Sequence, residues 1–207
     1  GCCSADGIPN NRTAQDSCVV YNTHTKAWRS APSLKHARSA CIAAAVGGRI
    51  YCMGSSDVVE SIAPGESEWR EEGTLPEGAG AGASCVLEGK IYIVDRGGVF
   101  AFDPAAKDGE KWDTTIPALP HGGGVGSAQV AAHNGCVWVI AGVGERTTFH
   151  FDPTSRSWTR GPDLPTSQSW GAAWSAGGVL LCIGGAHWLE EEQTYHFDNR
   201  VFKLVEP

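Results

Sequence analysis

The sequence predicts an all-β fold, a propeller of four-stranded antiparallel blades, on the strength of three observations. Tryptophan recurs at Trp28, Trp69, Trp112 and Trp158, at intervals of 41, 43 and 46 residues. A short apolar run follows a glycine turn once in every interval. No segment shows the 3.6-residue periodicity of an amphipathic helix. Repeats of 40-odd residues that hold four short strands each must stack, because one such sheet alone would leave both apolar faces in water.

The tryptophan segments come first. VVYNTHTKAWRSAPSL, ESIAPGESEWREEGTL, FAFDPAAKDGEKWDTTIPAL and FHFDPTSRSWTRGPDL align. Each starts with an apolar or aromatic residue (Tyr21, Ile62, Phe102, Phe151), passes a turn, and reaches its Trp seven or ten residues on. Leu34, Leu75, Leu119 and Leu164 follow after six or seven more. A fifth unit, YHFDNRVFKLVEP, puts Phe202 in the Trp slot and His196 in the slot of His150. The repeated indole is read as a core residue wedged between blades.

The apolar runs RIYCMGS, KIYIVDR, CVWVIAG and VLLCIGG come next, each after a turn at Gly48, Gly89, Gly135 or Gly178. Their continuity suits a strand buried on both faces, and they are expected to be the innermost strands. Strands rich in small residues, SACIAAAV, ASCVLE, AQVAAH and GAAWSA, precede them and imply close sheet packing. The blade units read as 1–47, 48–88, 89–134, 135–177 and 178–207, one domain of 207 residues with the first and last units incomplete.

At these residues the chain resembles the kelch-repeat family. Gly184-Gly185 matches the glycine pair that ends one strand of the family's repeat. Phe102-Asp103-Pro104 and Phe151-Asp152-Pro153 match its Tyr-Asp-Pro turn, and Leu75-Pro76, Leu119-Pro120 and Leu164-Pro165 match its Leu-Pro. Arg38-Ser39 resembles the Arg-Ser that opens the family's outer strand. Three units depart from the glycine pair, with Gly54-Ser55, Asp95-Arg96 and Ala141-Gly142, and Ile62-Ala63-Pro64 lacks the Asp. The resemblance implies about five kelch blades, either part of a six-bladed ring whose missing outer strand comes from residues before Gly1, which is the favoured expectation, or a five-bladed ring lacking one strand.

Composition narrows the partners. A net charge of −7 argues against nucleic acid or an anionic membrane. No apolar run approaches the roughly 18–20 residues that span a bilayer. Eight cysteines, mostly inside apolar runs and without a CxxC pair, read as free thiols of a cytoplasmic or nuclear protein, although Asn11-Arg12-Thr13 is a glycosylation triplet.

A search for chemistry yields no catalytic, cofactor or metal site. The seven His residues form no HxH or HExxH pattern, and HGGGVG at 121–126 precedes a strand rather than a helix. The family resemblance therefore implies a non-enzymatic domain that binds other proteins or peptides, as a ubiquitin-ligase substrate receptor or a cytoskeletal scaffold. The alternative is a sugar-active or metal-dependent propeller enzyme. Strand alternation sends two sets of loops to one face and the glycine turns to the other. The wanted side chains gather on the loop face: Arg12, His36, Arg38, Arg96, Arg146, Trp170, His187 and Trp188, with Glu145 and Glu190 to Glu192 beside them. Self-association of an open ring is a further expectation.

Overall fold

The structure is a computed structural model that describes residues 13–80, 82–120, 126–142, 145–189, 191–197 and 199–204. Arg12, the glycosylation triplet's Asn11 and most of the run at 121–126 lie outside the described residues. The described residues form nineteen strands and no helix.

Blade 1 is represented by β1 (Cys18–Asn22) and β2 (Ala27–Ala31). Blade 2 comprises β3 (Ile42–Val46), β4 (Arg49–Met53), β5 (Val58–Ile62) and β6 (Arg70–Thr74). Blade 3 comprises β7 (Ala83–Leu87), β8 (Lys90–Asp95), β9 (Gly98–Phe102) and the short β10 (Trp112–Asp113). Blade 4 comprises β11 (Gln129–His133), β12 (Cys136–Gly142), β13 (Glu145–Asp152) and β14 (Ser157–Arg160). Blade 5 is built from β15 (Ala172–Ala176), β16 (Val179–Ile183) and β19 (Val201–Leu204). Between its last two strands stands a separate hairpin, β17 (Ala186–Leu189) with β18 (Thr194–Phe197). All pairings are antiparallel, and the tight turns at Gly47-Gly48, Asn134-Gly135 and Gly177-Gly178 have positive φ at both residues, as a two-residue hairpin demands.

The innermost strands are the small-residue ones, which corrects the sequence expectation. β3 packs on β7, β7 on β11 and β11 on β15. Near the axis the strands converge, and Ala, Ser, Cys and Val make up most of these strands. The apolar runs are second strands, β4, β8, β12 and β16; β8 lies buried along its length between neighbouring blades, whereas Ile50 of β4 and Ile183 of β16 stay exposed. Three clusters of buried side chains result, one per blade junction. Met53, Ile91, Ile93 and Phe102 fill the junction of blades 2 and 3. Tyr92, Val139, Phe149 and Phe151 fill that of blades 3 and 4. Trp138, Ile140, Leu164 and Leu180 fill that of blades 4 and 5.

The aromatic-to-Trp spacing turns out to be a cross-strand pair. Tyr21 faces Trp28, Phe102 faces Trp112 and Phe151 faces Trp158, with ring centroids 5.1, 4.9 and 5.2 Å apart. The Asp of the Phe-Asp-Pro turn accepts a backbone N–H two residues on, at Ala105 and Thr154. In the unit without it, the Glu66 carboxylate accepts from the Ala63 N–H instead.

The four indoles are not equivalent in burial. Trp69 is 7% exposed, Trp112 and Trp158 are half-buried, and Trp28 is 67% exposed. Trp69 and Trp158 each donate Nε1–H to a proline carbonyl of the preceding blade's last connection, Pro32 at 2.8 Å and Pro117 at 2.7 Å. An indole is buried only where a preceding blade supplies that surface, and among the described residues nothing covers Trp28. Phe202 is also corrected: Cys182 faces Phe202 across β16 and β19, so it belongs to a third strand and not to the Trp slot. A long insertion separates it from the motif that the sequence alignment used.

Cys18, Cys41, Cys52, Cys85 and Cys182 are free thiols, and burial pushes Cys52 and Cys85 up to about 12 and Cys182 up to about 11. Cys41 is exposed. Because the thiolate is the reacting species, a thiol reagent at neutral pH is expected to label Cys41 rapidly in the native protein. Cys52, Cys85 and Cys182 should react only on unfolding. Rapid native labelling of Cys85, read by mass spectrometry, would contradict the packing of blade 3.

Candidate binding face

Two kinds of connection leave each blade on the same side: the loop from second to third strand, and the link from the outer strand to the next inner strand. His36 and Arg38 lie on the link into blade 2, Arg96 on the β8–β9 loop, Arg146 at the start of β13, and Trp170 on the link into blade 5. His187 and Trp188 lie on the inserted β17–β18 hairpin. The structure thus brings these seven residues to one end of the propeller. It gives them different work.

Arg38 is not a surface anchor. It is 5% exposed, and its guanidinium donates from Nη2 to Glu60 Oε2 at 2.6 Å, and also to the carbonyls of Gly54 and Val58. The other Glu60 oxygen accepts the Lys35 N–H at 2.6 Å, and Glu60 is wholly buried. Arg38 therefore clamps the link to the end of β4 and to β5. Strand pairing shows why the partner is Glu: Glu60 faces Cys52, as Phe100 faces Ile93 and Phe149 faces Val139. Blades 3 and 4 put Phe in that slot and have no Arg in the matching link. In blade 5 the clamp is Gln168, 1% exposed, which donates from Nε2 to the Gly184 carbonyl and accepts from Gln129 Nε2 at 3.0 Å. A charge inside the apolar run VVESI was the signal that could have exposed this pair.

Two other basic residues are partly committed. Arg146 donates from Nε to the Leu164 carbonyl at 2.8 Å, and the Leu164 N–H returns to the Arg146 carbonyl. Arg96 is exposed and lies against Gly126, where an added Cβ would meet its Nε at 3.0 Å. His36 keeps 36% side-chain exposure, with Nδ1 3.7 Å from Glu60 Oε2. His150 and His196, aligned by sequence, do not converge. His150 stacks on Trp138 at 4.6 Å within blade 4, whereas His196 faces His187 on the inserted hairpin.

The aromatic residues hold the remaining exposed surface. Trp170 has φ of +56°, as Ser127 has +64° at the matching position before β11. Its N–H donates to the Ser127 carbonyl at 3.2 Å, so one blade's link is tied to the next. That left-handed turn, unfavourable for a bulky residue, leaves Trp170 54% exposed. Its ring meets Tyr195 at 4.6 Å and 68°, and Trp188 meets the same Tyr195 at 4.8 Å and 66°. Sequence reading missed Tyr195, because alignment placed its strand in a blade rather than on a hairpin beside Trp170.

Chemistry elsewhere is structural. Two clefts of about 650 and 610 Å³ run along β6, where Glu66 pairs with Arg49 and Glu72 with Lys111. The Arg156 guanidinium beside Asp113 holds its carboxyl at about 2 and links blade 4 to blade 3. His133 Nδ1 lies 2.8 Å from Ser175 Oγ, joining two inner strands, and His133 is 3% exposed. Among the described residues no group of three His, Cys, Asp or Glu could hold a metal ion.

No family model matches the chain. It is similar to a putative F-box/kelch-repeat protein of Arabidopsis thaliana, 29% identical over 104 residues, which cover 45% of this chain and 27% of that one. A second F-box/kelch-repeat protein of Arabidopsis thaliana is 31% identical over 119 residues, 53% of this chain and 31% of that one. The chain thus spans less than a third of the length of these curated relatives. The solved structure of YjhT superposes with a TM-score of 0.73 at 13% identity, covering 91% of this chain and 75% of that chain. This last likeness overturns the expectation of a non-enzymatic receptor or scaffold domain. At 13% identity it shows the fold alone, and that fold does not decide between such a domain and an enzyme, so function must be argued from the site.

Proposed function

The chain is a kelch-repeat β-propeller, and we propose that it binds a segment of another protein on the face that carries the inserted hairpin. The F-box/kelch-repeat relatives favour protein–protein interaction in general. The observation that carries the reading on this chain is the set of three aromatic rings, Trp170, Tyr195 and Trp188, gathered on one face. Trp and Tyr supply large contact area with few rotors to freeze, which makes them the usual anchors of interfaces. The opposite face offers tight glycine turns and paired charges such as Lys90 with Asp103 at 3.4 Å.

Selection of peptides from a display library on the folded chain tests this. Trp188→Ala is expected to weaken a selected peptide at least tenfold, about 1.4 kcal/mol, with little change in melting temperature. Lys90→Glu, on the opposite face, should leave affinity intact. The reverse pattern would place the binding face on the wrong side.

A further inference from the structure

We infer that the cluster of Trp170, Tyr195 and Trp188 is a site for a cationic side chain, the guanidinium or ammonium group of an Arg- or Lys-bearing segment. The inference rests on the proposed binding reading only for the choice of face. Tyr195 stands between the two indoles, each at a steep angle to it, 68° for Trp170 and 66° for Trp188. Edge contacts of this kind use the rim of one ring and do not consume both faces of the others, and Trp170 keeps 54% of its surface open. A cation is attracted to such a face by the negative π-cloud, within about 6 Å of the ring centre, and Trp is the strongest of the aromatic acceptors.

Charge selects the sign of the ligand. The segment 186–199 contains Glu190, Glu191, Glu192 and Asp198 and no Lys or Arg. The segment is thus acidic in sequence, and Arg200 is the first basic residue after it. Glu191 and Glu192 are exposed at the hairpin tip. His196 Nε2 lies 2.7 Å from Glu192 Oε2, on the ribbon face opposite Tyr195. The carboxylates therefore act through their field, drawing a cation toward the hairpin, while the rings make the contact.

The site is also held in place. Ser169 and Ala186 exchange backbone hydrogen bonds of 2.8 Å in both directions, which fastens the foot of the hairpin to the link that carries Trp170. Trp170 N–H is anchored on Ser127. The rings thus come from two segments that the backbone fixes together, and no rearrangement is needed before a ligand enters.

The test is an NMR titration of the intact chain, following the indole Nε1–H signals of Trp170 and Trp188. Acetyl-Gly-Arg-Gly-amide is compared with its neutral isostere, acetyl-Gly-citrulline-Gly-amide, and with tetramethylammonium chloride. The arginine peptide and tetramethylammonium are expected to shift both signals, with the citrulline peptide roughly tenfold weaker, the scale of a partly desolvated cation–π contact. Trp170→Ala should abolish the Trp188 response while the melting temperature holds, because Trp170 is an exposed residue. Glu192→Gln should weaken the response and flatten its salt dependence. Equal binding of the arginine and citrulline peptides, or an unchanged response in Trp170→Ala, overturns the inference. Library peptides that bind through Trp188 without any Arg or Lys also overturn it, and leave the proposed binding face standing. A cation response at Trp170 and Trp188 supports it even where no library peptide is retained.

Discussion

Arg38→Ala is expected to lower the stability of the folded chain by about 3–5 kcal/mol, the cost of leaving one member of a buried ion pair without its partner. Glu60 is wholly buried, and its carboxylate would keep only the Lys35 N–H and the weaker approach of His36. The carbonyls of Gly54 and Val58 would lose their donor in the same step. Glu60→Ala should cost a comparable amount for the converse reason, a guanidinium stranded among carbonyls. Because the two residues share one network, the double variant Arg38→Ala/Glu60→Ala should cost about 1–3 kcal/mol less than the sum of the single losses. Urea unfolding of the four proteins measures the cycle. Additive losses, or an Arg38→Ala variant that melts with the parent, would show that the pair does not clamp the link. Arg38 is for the same reason unsuitable as a probe of binding, since its loss acts through the fold.

The second large effect separates two residues that the repeat makes look identical. Trp69→Ala should cost about 3–5 kcal/mol, as expected when a buried indole is truncated. Trp69 fills the junction with blade 1 and its N–H satisfies the Pro32 carbonyl. Trp28→Ala should stay within about 0.5 kcal/mol of the parent, the range of ordinary surface changes, because Trp28 is 67% exposed and its ring lies against that of Tyr21. Thermal or denaturant melting of the two variants decides it. Equal losses at both sites would mean that Trp28 is covered in solution by something outside the described residues.

The sequence by itself determined the repeat. The Trp interval, the glycine turns and the apolar runs dictated four antiparallel strands per blade, since each signal is local and a hairpin's register follows from its turn. The same local signals identified the face that holds Trp170, Trp188 and Arg96, because alternation of strand direction is enough for that. Tertiary structure alone decided which strand lies innermost. The choice depends on how much room the axis leaves, and side-chain volume across blades carries no periodicity along the chain. It also decided that Arg38 is buried, because Glu60 lies 22 residues away and meets it only when β5 is paired with β4. Tyr195 joined the site in the same way. Its strand was read as part of a blade, and only the pairing of β16 with β19 released the intervening residues as a hairpin that sets Tyr195 between two indoles.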